Sequence, residues 1–313
     1  METITSVNNA RIKDVANLKQ KKFRTERGAF FAEGLRAVTE AVRYGDVTDL
    51  FFTRSEESRL DEILKTAEEK GARLYQVDDK VMAKLSDTKT PQGVLAVISM
   101  PENDLRQLKP EAIVKKYGRC VDNDLDERGK KQSRFRSKDL DEYGKPKSKK
   151  AIMPEKDFDN NAPVVILDRI QDPGNLGTII RTADAAGALG LILLEGCVDA
   201  FSPKVVRASM GSLFHLPVVQ EISPEEALTW CYRNGYEPAA TAMKGAANLY
   251  KTDLSKKMAY ILGNEANGVS EELQAAAETR LFIPMEGMAE SMNVAMAAGI
   301  ILFEGLRQRK FFR

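Results

Sequence analysis

Three polar loops carry the residues of this sequence best suited to hold and transform a ligand. In the first, Asp172-Pro173-Gly174-Asn175 has turn chemistry: proline presets one dihedral, glycine permits positive φ, and Asn175 is expected to cap the helix that follows. Along that helix Leu176, Ile179, Ile180, Ala183 and Ala186 recur as an apolar stripe, while Gly177, Thr178, Arg181 and Asp184 fall on the opposite side. Arg181 therefore leaves the core, either toward a sheet edge or a partner, or into an ion pair with Asp184 or another carboxylate. The second loop, Gly263-Asn264-Glu265-Ala266-Asn267-Gly268, has glycines that let backbone pass close to a ligand, and Glu265 at a strand end. The third runs from Ile283 through Met285, Ser291, Met292 and Asn293 into a long helix. Its methionines (Met285, Met288, Met292, Met296) form either an adaptable ligand wall or core fill.

Several chemistries are excluded by what stands at the decisive positions. Residues 263–270 have the spacing of a phosphate loop, but Val269 occupies the place of the essential lysine. No G-x-G-x-x-G follows a strand, which lowers a dinucleotide-binding dehydrogenase and a conventional Rossmann methyltransferase. His215 is the single histidine, so the usual histidine triads and multi-histidine metal sites are nearly excluded, and no metal is expected. Cys120, Cys197 and Cys231 form no C-x-x-C pair, which supports neither a disulfide framework nor a zinc cluster.

The elements that must position these loops are those of an α/β protein. VVILD, then a turn, a helix and GLILLEG, read as a βαβ unit with a parallel sheet, and open sheets of this kind bind ligands beyond the carboxyl ends of their strands. Further strands are expected at 216–219, 238–242, 258–262 and 281–283, a helix at 224–234 and a final helix from Met292 to about Arg309. Upstream, helices at 34–44 and 58–70 alternate with strands at 50–52, 73–77 and 92–98 in a smaller α/β unit. A chain of 313 residues is long for one domain, and three segments are expected: 1–100, a charged insertion 101–161 with little apolar periodicity, and 162–313.

Charge is balanced overall, 47 Lys+Arg against 46 Asp+Glu, so nucleic-acid binding has to be argued locally. Between residues 11 and 27 the cations Arg11, Lys13, Lys21, Lys22 and Arg24 outnumber the acids, which suits either phosphate contact or a solvated helix face. Basic clusters at 128–136 and 145–150 of the insertion allow the same two readings. The N-terminus lacks the apolar core of a signal peptide, and no window approaches the ~18 unbroken apolar residues of a membrane span. A cytoplasmic protein without a membrane partner is expected.

The segments DRIQDPGNLGTIIRTADAAG, ILGNEANGVS and LFIPMEGMAESMNVAMAAGIILFE resemble, in order and spacing, the three signature motifs of SpoU-type RNA 2'-O-ribose methyltransferases of the SPOUT superfamily. The N-terminal TSVNNARIKDVANLKQKKFRTERGAFFAEGLRAV resembles the ribosomal-protein-like substrate-binding domain often joined to them. The resemblance covers about residues 3–100 and 163–310; the family's linker is normally shorter than residues 101–161. It implies a C-terminal trefoil-knotted parallel-sheet domain with a smaller N-terminal α/β domain, S-adenosyl-L-methionine as cofactor and a homodimer. It assigns Asn175, Arg181, Glu265, Ser291 and Asn293 to the active site, with Arg181 often taken as the base for the ribose hydroxyl. Ala242, Gly263, Asn264, Ile283, Met285 and Met292 match cofactor-binding positions. Arg11, Lys13, Lys21, Lys22, Arg24 and Arg36 of the substrate domain are the expected RNA contacts.

The implied chemistry is consistent with these residues. A methyl group leaving a sulfonium departs from a neutral leaving group, so the site needs no metal, only an in-line ribose oxygen that loses its proton. Arginine is a poor proton acceptor near neutral pH, so Arg181 suits positioning of phosphate and hydroxyl as much as base catalysis. Glu265 would orient Arg181 or take part in proton removal. Ser291 and Asn293 would hold the hydroxyl and the loops, or simply cap the last helix. Small residues Ala295, Ala297, Ala298 and Gly299 of that helix suit a dimer interface or packing within the monomer, and His215 is expected to be structural. The expected function is ribose methylation of 23S ribosomal RNA, with transfer RNA methylation or a non-catalytic RNA-binding role as alternatives.

Overall fold

The apolar runs of the sequence become strands of two sheets in the computed structural model, which describes residues 1–109, 159–242, 245–264, 266–289 and 291–311. The N-terminal elements are β1 (Glu2–Ile4), α1 (Ala10–Asn17), α2 (Lys21–Arg27), β2 (Ala29–Glu33), α3 (Leu35–Tyr44), β3 (Val47–Thr53), α4 (Glu57–Glu69), β4 (Arg73–Val77), α5 (Asp79–Leu85) and β5 (Val94–Ser99). Their sheet has the order β1-β4-β3-β5-β2, with β5 antiparallel to both of its neighbours. One face is sealed by α1 and α5 through Ile12, Val15, Val81 and Leu85 over Phe31 and Phe51. Strands β1 and β2 are absent from the sequence reading. The first is only three residues long, and the second is an apolar run directly abutting a helix.

The C-terminal elements are β6 (Val164–Asp168), α6 (Pro173–Ala185), β7 (Gly190–Leu194), α7 (Pro203–Ala208), β8 (Val218–Ile222), α8 (Pro224–Arg233), β9 (Glu237–Thr241), β10 (Ala247–Asn248), β11 (Met258–Gly263), α9 (Glu271–Ala276), β12 (Thr279–Phe282) and α10 (Val294–Phe311). All seven strands run parallel in the order β10-β12-β9-β11-β6-β7-β8. The unbroken apolar runs of β6, β7 and β11 are buried along their full length, as expected where helices cover both faces. From β6 the chain moves outward through β7 and β8; from β11 it moves to the other side. The strand order therefore reverses between β6 and β11, the place where such sheets form a crevice beyond their carboxyl ends.

The two halves are not separate bodies joined by a tether. One apolar cluster runs from Phe30, Val38 and Ile98 of the first half to Ile179, Phe201 and Phe214 of the second, with Phe30 4.9 Å from Phe201 and 6.1 Å from Phe214 between ring centroids. The start of the expected charged insertion needs correction. Leu105 and Leu108 pack with the C-terminal core, and the Trp230 indole donates to the Leu105 carbonyl at 3.1 Å. Leu108 is buried in that core and Leu105 half-buried against it. At the other border, Asp159 accepts from Arg309 at 3.0 Å. The basic clusters at 128–136 and 145–150 lie outside the described residues.

Candidate active site

Four neighbouring strand ends make one edge. Residues 169–172 leave β6, residues 264–270 leave β11, Ala242 follows β9, and residues 283–293 follow β12. A Cβ at Gly263 would overlap the backbone of Gly268 and Val269, so only glycine lets the second loop fold back over the end of its own strand. That crossing is fastened to the first loop. The buried Asp168 carboxylate accepts from the Ser270 amide at 2.8 Å and from Arg169 at 2.8 and 3.0 Å. The Arg169 carbonyl in turn accepts from Asn264 Nδ2 at 3.0 Å. Arg169 adopts φ 57°, a left-handed backbone that costs free energy and persists because these bonds fix both sides of it.

Helix α6 is capped three residues earlier than the turn chemistry suggested. Asp172, not Asn175, is its cap, accepting from the Asn175 amide at 2.7 Å with Pro173 in the first turn. The Asn175 side chain is thereby left for a different contact, accepting from Asn293 Nδ2 at 2.9 Å. Asn293 Oδ1 accepts from the Ala295 amide at 2.9 Å and so caps α10. One hydrogen bond thus joins the starts of the two helices that follow the first and third loops. The final helix starts at Val294, because Asn293 is consumed by the cap.

The apolar stripe of α6 is buried as read, and Thr178 and Arg181 on its other side are exposed. Gly177 belongs to neither description. It is buried against α7, with Ala208 where its Cβ would be, so its role is close helix packing. The pairing of Arg181 with Asp184 does not occur: Asp184 accepts from His215, and Arg181 has no ion pair with a described carboxylate. Ser291 and Met292 are exposed just before α10, while Ala242, Asn264, Ile283 and Met285 are half-exposed along the strand ends. Glu265 lies outside the described residues. Cys197, which donates to the Leu167 carbonyl beneath the first loop, has its thiol pushed up to about 11, chiefly by burial, which removes it as a nucleophile. Among the described residues no group of His, Cys, Asp and Glu could hold a metal ion.

The expected RNA contacts divide. Lys13, Lys22 and Arg36 are exposed, and Lys21 is exposed but bridges Glu221 at 2.6 Å. Arg11 is half-buried, bridging Asp49 at 3.1 Å with its guanidinium 4.5 Å over the Tyr75 ring. Arg24 is a correction: it is 2% exposed, pairs with buried Asp199 and donates to the Leu18 and Lys19 carbonyls, so it fastens the two halves and is not available to a phosphate.

Residues 162–303 match the SpoU rRNA Methylase family and residues 9–96 the MRM3-like substrate binding domain. The 23S rRNA (guanosine(2553)-2'-O)-methyltransferase RlmP of Bacillus subtilis is 31% identical, the match covering 97% of this chain and 98% of that protein. The chain belongs to the SpoU rRNA methylase family. The 23S rRNA (uridine(2479)-2'-O)-methyltransferase of Streptomyces viridochromogenes is likewise 31% identical, over 94% of this chain and 88% of that one. Among solved structures, an AdoMet-bound rRNA methyltransferase from Sinorhizobium meliloti superimposes with a TM-score of 0.75 at 30% identity, covering 99% and 98% of the two chains. The parallel-sheet domain thus has the SpoU methylase fold, the trefoil-knotted domain that is an exception to the general absence of knots. At the carboxyl edge of its sheet, half-exposed Asn264 and residues 283–285 stand beside buried Gly263 and offer backbone amides and carbonyls. Those groups fit an uncharged adenosine and an amino-acid tail of S-adenosyl-L-methionine better than they fit a polyphosphate, for which no lysine or arginine is present among residues 263–270.

Proposed function

We infer that this protein is an S-adenosyl-L-methionine-dependent 2'-O-ribose methyltransferase acting on ribosomal RNA, with 23S rRNA as its substrate. The observation that carries the reading is the bond between Asn175 and Asn293, which brings the first and third loops of a SpoU domain to one edge beside an exposed Arg181. The cofactor supplies an activated methyl group. The chain's own residues have to seat a ribose hydroxyl in line with that group and exclude competing water.

Arg181 binds the phosphate next to the target ribose and steers its 2'-oxygen, with Asn175, Ser291 and Asn293 holding the hydroxyl and the loops. Glu265 is assigned to orienting Arg181 or to receiving the proton. Ala242, Gly263, Asn264, Ile283, Met285 and Met292 are assigned to the cofactor. Lys13, Lys21, Lys22 and Arg36, with Arg11 at the sheet, contact the RNA backbone.

The enzyme works as a homodimer. This is supported by the outer stripe of α10 and its lead-in, where Met292, Met296 (62% exposed) and Phe303 stand in water at helical spacing while Ala295, Ala298, Ile301 and Leu302 are used for packing within the chain. A cytoplasmic location is part of the same proposal. Among the described residues no helix is long and apolar enough to cross a membrane.

The test is incubation with labelled S-adenosyl-L-methionine and unmodified ribosomal RNA, followed by mapping of 2'-O-methylated riboses. Wild type should label one large-subunit site. Arg181→Ala should keep its cofactor affinity and lose transfer by roughly a hundredfold or more, the scale of a lost charge-stabilising contact. Full activity of that variant would remove Arg181 from the assignment.

A further inference from the structure

The single histidine joins the substrate-binding half to the catalytic helix. His215 Nδ1 lies 2.7 Å from Asp184 Oδ2 on α6, and Nε2 lies 3.1 Å from Glu40 Oε2 on α3. Both ring nitrogens face carboxylate oxygens. A neutral imidazole carries one proton and could satisfy only one of them, so both contacts are attractive only in the imidazolium. Burial works against that charge, and Asp184 with Glu40 more than offsets it, holding His215 above its ordinary range.

The surroundings are built around this link. Gly211 adopts φ +96°, and a Cβ there would stand 2.7 Å from Glu40 Cγ. The turn before His215 therefore needs glycine to admit the Glu40 chain. Tyr44 meets the imidazole ring edge-on at 5.2 Å between centroids, and Arg43 approaches the far oxygen of Glu40 at 3.8 Å. Asp184 follows Arg181 by three residues, less than one helical turn. The apolar cluster shared by the halves gives cohesion without direction, whereas two charge-assisted hydrogen bonds fix a register.

We propose that His215 is a positioning residue for methyl transfer, fixing α6, and with it Arg181, relative to the RNA-binding half through Asp184 and Glu40. The inference rests on the methyltransferase reading above. Its effect should appear in turnover, because a displacement of about 1 Å away from the chemistry can cost a hundredfold.

Wild type, His215→Ala, His215→Arg and Glu40→Gln are compared with labelled S-adenosyl-L-methionine and unmodified 23S rRNA, with cofactor affinity by calorimetry and thermal melting of the same samples. His215→Ala and Glu40→Gln should bind cofactor within about twofold of wild type, yet turn over roughly ten- to a hundredfold more slowly at saturating RNA. His215→Arg, which presents a permanently charged fork to two carboxylates, should recover most of the rate. Turnover of His215→Ala within about twofold of wild type, failure of arginine to recover it, or a parallel loss of cofactor affinity would return His215 to plain packing. Absence of transfer by wild type would overturn the methyltransferase reading itself, and the positioning role with it.

Discussion

Helices α2 and α6 each bring an arginine to the boundary between the halves and the site, and they treat it in opposite ways. Arg24 of α2 is 2% exposed, locked on Asp199 and two backbone carbonyls, whereas Arg181 of α6 stands in solvent without a described carboxylate partner. A guanidinium taken out of water is costly unless paired and hydrogen-bonded, and one locked on a buried carboxylate and two carbonyls is closed off from a ligand. One left in water keeps its fork for a phosphate or a hydroxyl. Partnering, rather than residue type, separates the arginine that holds the fold from the one available for chemistry.

The sharpest way to break this contrast is Arg24→Ala. It leaves Asp199 buried without its counter-ion and should cost about 3–5 kcal/mol in denaturant unfolding. A loss below about 1 kcal/mol, with weakened RNA binding instead, would make Arg24 a surface contact. Next, Asn293→Ala removes the cap of α10 and the bond to Asn175 together. About 1 kcal/mol of stability should go, along with a drop in turnover larger than that figure explains. Unchanged turnover would reduce Asn293 to a cap. Arg181→Ala, silent in the fold, should move stability by no more than about 0.5 kcal/mol while abolishing transfer. Smallest of all, Lys22→Ala should leave folding and cofactor binding alone and reduce the salt-dependence slope of RNA affinity by about one contact's share. An unchanged slope would place Lys22 among merely solvated charges.

Much of the architecture was legible because its cause is local. VVILD, GLILL and MAYILG are apolar runs of strand length, and their order with an intervening helix period implies a parallel sheet. Predicted strands 73–77 and VVILD coincide with β4 and β6, and the others have an end shifted by one to three residues, since the last residue of a strand is decided by its neighbour's register. The short helices α7 and α9, six residues each, have no periodicity long enough to read.

The site was legible as three loops but not as a geometry. That Asp172 rather than Asn175 caps α6 was within reach, since aspartate before proline is a strong start signal. That Asn175 then meets Asn293, that Asp168 clasps the Ser270 amide, and that His215 is shared by Glu40 and Asp184 was not, because the partners are separated by between 31 and 175 residues.

The sequence by itself determined the longer strands and helices, which loops carry polar residues, and that no histidine- or cysteine-based chemistry is available among those loops. These follow from side-chain period, turn chemistry and residue type, all properties of neighbours along the chain. Only the tertiary structure decided which arginine is buried in a salt bridge and which is exposed, which glycines are required by a crossing backbone, and how the two halves are registered. Those outcomes depend on what surrounds a group in space, and the free energy of a charge or a Cβ is fixed by that environment.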